Sequence, residues 1–196
     1  MFLVRTPPTT LPFEMAGLKL HCRVDAEEIR DDVILDMYAW AAIKAGEFSS
    51  NRVWVESDWT GEIDAFPRGT MPIVIPKSPC TAVSGISYVD AGGVDQVLDT
   101  SAYRFLPSSL ESDGGRPYAS IEPVTEWPSG TTVKVSFSAG WSKDIFPKEL
   151  VQWTFVKVSS HYEQREDLAS ATRKIAIAFP RHFVDSLLDR FYLPRY

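Results

Sequence analysis

The chain has 196 residues, 44% of them hydrophobic and 12% aromatic, and a formal charge of −6. That balance excludes a disordered or fibrous protein, and the length allows one core to form without metal or disulfide staples. Residues 141–196 carry nine Lys/Arg against seven Asp/Glu, while the first 140 carry eleven against nineteen. No basic stripe of the kind that grips DNA through its phosphates is visible.

In chain order, residues 1–12 hold three prolines and three threonines, which favours an extended arm over a helix. Phe2, Leu3 and Val4 at its tip either fold back on the domain or reach a neighbouring subunit. Residues 13–48 read as helical. Pro12 suits the first position of a short helix ending near His21. Asp25 stands where the N-cap of a longer helix belongs, and Ile29, Val33, Met37, Trp40 and Lys44 mark its apolar stripe as far as Gly46. From 51 to 141 the period changes to two. Short β-rich runs (Val53, Val55, Ile63, Ile73–Ile75, Val83, Ile86, Tyr88, Val133, Val135, Phe137) are broken by Gly, Pro and Asp, which predicts an antiparallel β module. Asp90 to Gly93 supply a hairpin turn, and Pro107–Pro117 reads as a polar loop. Residues 147–192 read as helical again. Pro147 opens one helix, with Val151, Phe155, Val158 and Tyr162 on its apolar side. Pro180 opens another, bearing Phe183, Val184, Leu187, Leu188 and Phe191. The expected class is α+β in a single domain 1–196, with N-terminal helices, a central antiparallel β module and C-terminal helices.

Catalytic and cofactor patterns do not emerge. There is no nucleophile elbow, phosphate-binding glycine loop, zinc-protease motif or Cys/His ligand spacing. Of the three histidines, His161 has Glu163, Arg165 and Glu166 close by in sequence, and a solvated helix face accounts for it. Cys22 and Cys80 read as buried thiols in a reducing compartment. No signal peptide or membrane-spanning run is seen in the sequence. The expectation is a non-enzymatic protein with no catalytic, metal or cofactor-binding residues and no cofactor, made in the cytoplasm.

Several stretches together resemble the head–tail connector (adaptor) family of long-tailed bacteriophages. They are Leu18–Asp25, Asp31-Asp32, Ile73–Pro79, Val83–Asp90 with its glycine turn, Leu98 followed by Tyr103, Trp127-Pro128, Val133–Trp141, Phe146-Pro147 and His161–Glu166. Each is weak alone; their order and spacing carry the likeness over residues 16–168, with an echo from Pro180 to Arg195. The resemblance implies a structural subunit that assembles as a homo-oligomeric ring, about twelvefold, beneath a portal protein. It implies a tail or stopper protein on the other side and DNA passing through without sequence-specific binding. It also implies a place in the virion after synthesis in the bacterial host cytoplasm.

Rings need heterologous contacts, in which one face of each copy meets a different face of the next. The candidate partner-interface residues are Phe2 and Leu3 of the arm and Phe191, Tyr192, Arg195 and Tyr196 of the tail, where aromatics beside an arginine match the composition of interface hot spots. The alternative function is a β-module binding protein that grips a peptide or carbohydrate through Trp54, Trp59 and Trp127.

Overall fold

The structure, a computed structural model, describes residues 1–109, 116–163 and 184–193. Its elements are β1 (Phe2–Arg5), α1 (Met15–His21), α2 (Asp32–Ser50), β2 (Ser57–Ala65), β3 (Ile73–Ile75), β4 (Cys80–Val89), β5 (Asp95–Val97), β6 (Tyr103–Leu106), β7 (Ala119–Pro123), β8 (Thr131–Ala139) and α3 (Lys148–Glu163), with short 3₁₀ turns that include Ser186–Phe191. The class is α+β.

The β strands form two antiparallel sheets, one ordered β1-β2-β8-β4-β5 and the other β3-β7-β6. Alternation decides their inner faces. Val133, Val135, Phe137 and Ala139 of β8 are buried, while Lys134 between them is exposed, as the two-residue period of a strand requires. Ile73 and Ile75 of β3 and Ile121 of β7 come from the smaller sheet to meet them, and one apolar cluster closes between the sheets. The hairpin falls where Asp90–Gly93 predicts it. Gly93 adopts a φ of 80°, and the Asp90 carboxylate accepts from the amides of Gly92 and Val94.

Helices from both ends of the chain share a second core. Leu18 of α1, Leu35, Ala39 and Ile43 of α2, Leu150, Trp153 and Val158 of α3, and Val184, Leu188 and Phe191 near the end converge on Trp54 and Trp141. Trp54 is the hub. Its indole N–H donates to Ser50 Oγ at 2.9 Å, its ring meets Trp153 edge-on at 5.4 Å, and it lies over Gly46, where a Cβ would come within 2.0 Å of the indole. The Trp141 amide donates to the Trp54 carbonyl at 2.9 Å, and the Glu56 amide to the Trp141 carbonyl at 3.1 Å, tying this core to the end of β8.

Three expectations need correction. The proline-rich arm is extended, but Phe2–Arg5 is strand β1, paired antiparallel with β2 from Phe2↔Glu62 to Arg5↔Trp59. The long helix begins at Asp32, not after Asp25. The buried Lys19 ammonium takes the carbonyls of Ala26 and Glu28 and pairs with Asp32 at 2.6 Å, which holds 25–31 as turns. The stripe expected to be the buried side of α2 is its outer side, since Ile29, Val33 and Met37 are exposed while Leu35, Ala39, Ala42, Ile43 and Gly46 are buried. Of the last helix, the described residues show Val184 and Asp185 as helix and Ser186–Phe191 as a 3₁₀ turn; Pro180 and Phe183 lie outside them.

Candidate functional site

The residues singled out at the arm divide by strand parity. Leu3 turns inward onto the β core, whereas Phe2 and Val4 point outward at 71% and 53% exposure. Arg5 fixes the strand from its end. The guanidinium makes a two-pronged ion pair with Glu47 of α2 at 2.8 and 3.0 Å. It also donates to Ser57 Oγ and the Val55 carbonyl and lies 5.3 Å over the Trp59 ring. Glu47 further accepts from the Trp54 amide and from Lys44. Burial would raise its carboxyl, but the Arg5 hydrogen bonds and charge, the Trp54 amide and Lys44 together hold it below the usual carboxylate range. Lys77 stacks on Trp59 at 5.0 Å, and burial pulls its ammonium below the ordinary lysine value.

β1 is thus an edge strand clasped to the helical core by a charge-assisted pair. At the other end of the same sheet, β5 is the opposite edge. All three of its residues are exposed, with Val97 at 80%.

The tail is placed differently from the expectation. Phe191 is 5% exposed, packs edge-on against Trp141 at 5.8 Å, and its carbonyl accepts from the buried Arg52 at 2.8 Å. It has little side-chain surface to offer a partner, because it fills the subunit's own core. Tyr192 stays exposed; slight burial and then Asp185 and Asp189 raise its phenol. Arg195 and Tyr196 lie outside the described residues. In the Pro107–Pro117 loop, the Ser109 amide donates to the Arg116 carbonyl at 2.8 Å, and residues 110–115 are outside the described set.

A cavity of about 330 Å³ lies between α2, α3 and the tail, bordered by Ala41, Ala45, Trp153, Lys157, His161 and Tyr192. Its charged groups are paired, Lys157 with Asp185 at 3.2 Å, and the Trp153 indole N–H also reaches Asp185. His161 is exposed and rests near the Tyr38 ring at 5.9 Å. Two of the three tryptophans of the binding-module alternative, Trp54 and Trp59, are core residues. Trp127 is half-buried, stacked on Phe66 at 5.1 Å with its N–H on the Met71 carbonyl.

The sequence places a strand after the Asp90–Gly93 turn but not its standing as a sheet edge: Val94 and Val97 are three positions apart, off the two-residue period, and α2 is apolar on both sides, which hides the direction of burial. Among the described residues no helix is long and apolar enough to cross a membrane.

No family model matches the chain, and no curated protein matches it. Solved structures do. A chain from the neck of an empty gene transfer agent particle, computed with C6 symmetry, superposes at a TM-score of 0.74 with 22% identity, covering 100% of this chain and 97% of that one. A chain from the virion of the native particle gives 0.72 at 24% identity with the same coverage. A chain from the native neck computed with C12 symmetry gives 0.65 at 24% identity, again over 100% and 97%. The chain therefore shares a fold with components of phage-like particles over its whole length, at the level of fold that the resemblance to connectors implies.

Proposed function

We propose that this protein is a structural neck subunit, a head–tail connector that assembles as a ring beneath the portal, joins the capsid to a tail or stopper protein and lets DNA pass. The observation that carries this reading is the end-to-end likeness, covering 100% of the chain, to a chain of a gene transfer agent neck. A likeness spanning both helical ends and the β module favours the same kind of assembly over a shared core with a different use. Two further features agree with it. The net charge of −6 lets a duplex slide without being held by phosphate contacts. The apolar exposure also sits at sheet edges and along a helix face, where protein partners bind.

On this reading the subunit is not an enzyme, uses no cofactor, is made in the cytoplasm of the bacterial host and ends in the virion. The test is solution mass by light scattering followed by negative-stain imaging, first alone and then with the portal. A closed ring of about a dozen copies with a hole of roughly 20 Å or more supports the proposal. A chain that stays at 22.0 kDa in both settings refutes it.

A further inference from the structure

The five-stranded sheet has two open edges at opposite sides of the subunit, and their backbone chemistry matches. At β1 the Thr6 amide donates to the Asp58 carbonyl. Alternation along the strand therefore turns the main-chain groups of Phe2 and Val4 toward β2, and those of Leu3 and Arg5 outward. At β5 the Leu98 amide donates to the Ile86 carbonyl, so the groups of Gln96 face β4, and those of Asp95 and Val97 face outward. Each edge thus presents two residues whose N–H and C=O point away from the sheet. Among the described residues no strand lies beyond either edge.

The side chains match as well. Pairing runs in one row across the sheet, Phe2↔Glu62, Glu62↔Lys134, Lys134↔Ser87 and Ser87↔Val97. Phe2, Val4 and Val97 accordingly stand on the same outer face. Every neighbouring pair in the sheet is antiparallel, so β1 and β5, the first and fifth strands, run in the same direction.

We infer that the β1 edge of one copy joins the β5 edge of the next, in parallel, extending the sheet from subunit to subunit. This rests on the ring proposed above and names its contact. Two different edges on opposite sides of one body make a heterologous contact, the kind that repeats around a ring. Rotation about an axis along the strands preserves strand direction, which makes the new pair parallel. The parity is also right. In a parallel ladder, the outward groups of one residue bond to residues flanking its opposite number. A Val97 set beside Phe2 or Val4 therefore finds the outward groups of Leu3, and beside Val4 also those of Arg5, for about three hydrogen bonds per contact. Strands about 4.8 Å apart give roughly 24 Å of sheet per copy, so twelve copies close at a diameter of about 90 Å, ample for the subunit bodies and a duplex.

The test uses cysteine pairs in a Cys22→Ser background, in rings formed alone or on the portal. Val97→Cys combined with Phe2→Cys or Val4→Cys should, on oxidation, give a ladder of covalent multimers in denaturing gels. Val97→Cys with Leu3→Cys should give little, because Leu3 points to the opposite face. Separately, Val97→Pro removes an amide that bonds nothing within the subunit. It should leave the melting temperature within a few degrees and lower the ring fraction at least tenfold. Rings that form normally but show no parity-dependent cross-link, or that survive Val97→Pro, overturn this contact and leave the neck assignment standing. A wild-type chain that never forms rings removes both.

Discussion

Replacing Arg5 by alanine tests how β1 is held. The Arg5 and Glu47 side chains are 14% and 11% exposed, so their pair has lost most of its water. The substitution removes two charge-assisted hydrogen bonds to Glu47, one to Ser57, one to the Val55 carbonyl and the cation over Trp59. Breaking a buried pair by deleting one partner costs about 3–5 kcal/mol when the remaining charge has nowhere to go. Glu47 still keeps Lys44 and the Trp54 amide, so a cost of about 2–3 kcal/mol is expected. In a chain of this size that is roughly 5–10 °C in Tm, read by circular dichroism. The cost also depends on pH, in a fixed direction. Glu47 has its folded pKa lowered, so its contribution is present above the ordinary carboxylate value and is lost as pH falls through that value toward the folded one. The Tm gap between wild type and Arg5→Ala should therefore shrink on acidification from pH 7 toward pH 3. A gap under 1 °C at pH 7, or one that widens in acid, would show that the clasp does not hold the strand.

Three other outcomes follow from packing and burial. Gly46→Ala drives a methyl into the Trp54 indole and should destabilise by about 3 kcal/mol or more; Gly85→Ala, with no atom within 4 Å of the new Cβ, should be close to neutral in urea unfolding. Phe191→Ala should cost about 3–5 kcal/mol in the isolated subunit, whereas Tyr192→Ala, at an exposed position, should change stability by less than about 1 kcal/mol; equal small effects in thermal unfolding would return Phe191 to the list of surface contacts. Burial pushes the Cys80 thiol up to about 12, leaving about one molecule in ten thousand as thiolate at pH 8. A thiol reagent should then label the partly exposed Cys22 in the native protein and Cys80 only after unfolding.

Much of the fold is written in local pattern. The period-two runs locate β3, β4 and β8, Asp90–Gly93 locates the hairpin, and the Val151, Phe155, Val158, Tyr162 spacing locates α3. What local pattern cannot state is which elements meet. β1 is four residues beside a run of prolines, and only the pairing to β2 and the Arg5–Glu47 contact across 42 positions make it a strand. In α2 the large apolar residues Val33 and Met37, in line with Ile29 ahead of the helix, form the better stripe, but packing selected the side with Ala39, Ala42 and Gly46. The reason is steric. Trp54 needs a shallow surface to lie on, and only small residues let the indole approach to its observed distance from the Gly46 backbone. Phe191 shows the same limit: beside Tyr192 and Arg195 it reads as a surface anchor, and in the subunit it packs on Trp141 with its carbonyl on Arg52, both far away in sequence.

The clasp and the open edge bear on each other. Sheets commonly guard a free edge with a charged side chain that repels a second strand. Arg5 is the only charged residue of β1, and Glu47 draws it away toward the helical core. On β5, the exposed Asp95 keeps one carboxylate at the edge, the Gln96 amide is occupied by the Asp90 carboxylate, and Val97 is the apolar residue at the edge's far end. Both edges are thus short, β1 with its charge drawn away and β5 with the single carboxylate of Asp95, and a contact of about three hydrogen bonds is too small to hold two copies together alone. Closing a ring changes this, because every copy then makes two such contacts and the last is formed within an assembly already in register. On the proposed ring, subunits built this way would stay separate at low concentration and lock when a neighbouring protein gathers them. Restoring a free charge at the edge is the direct check. Glu47→Gln releases the Arg5 pair, and a Val97→Lys change adds a guard on the other side. Each should reduce ring formation at fixed concentration, and rings unaffected by both would mean that the edges are not the surfaces that meet.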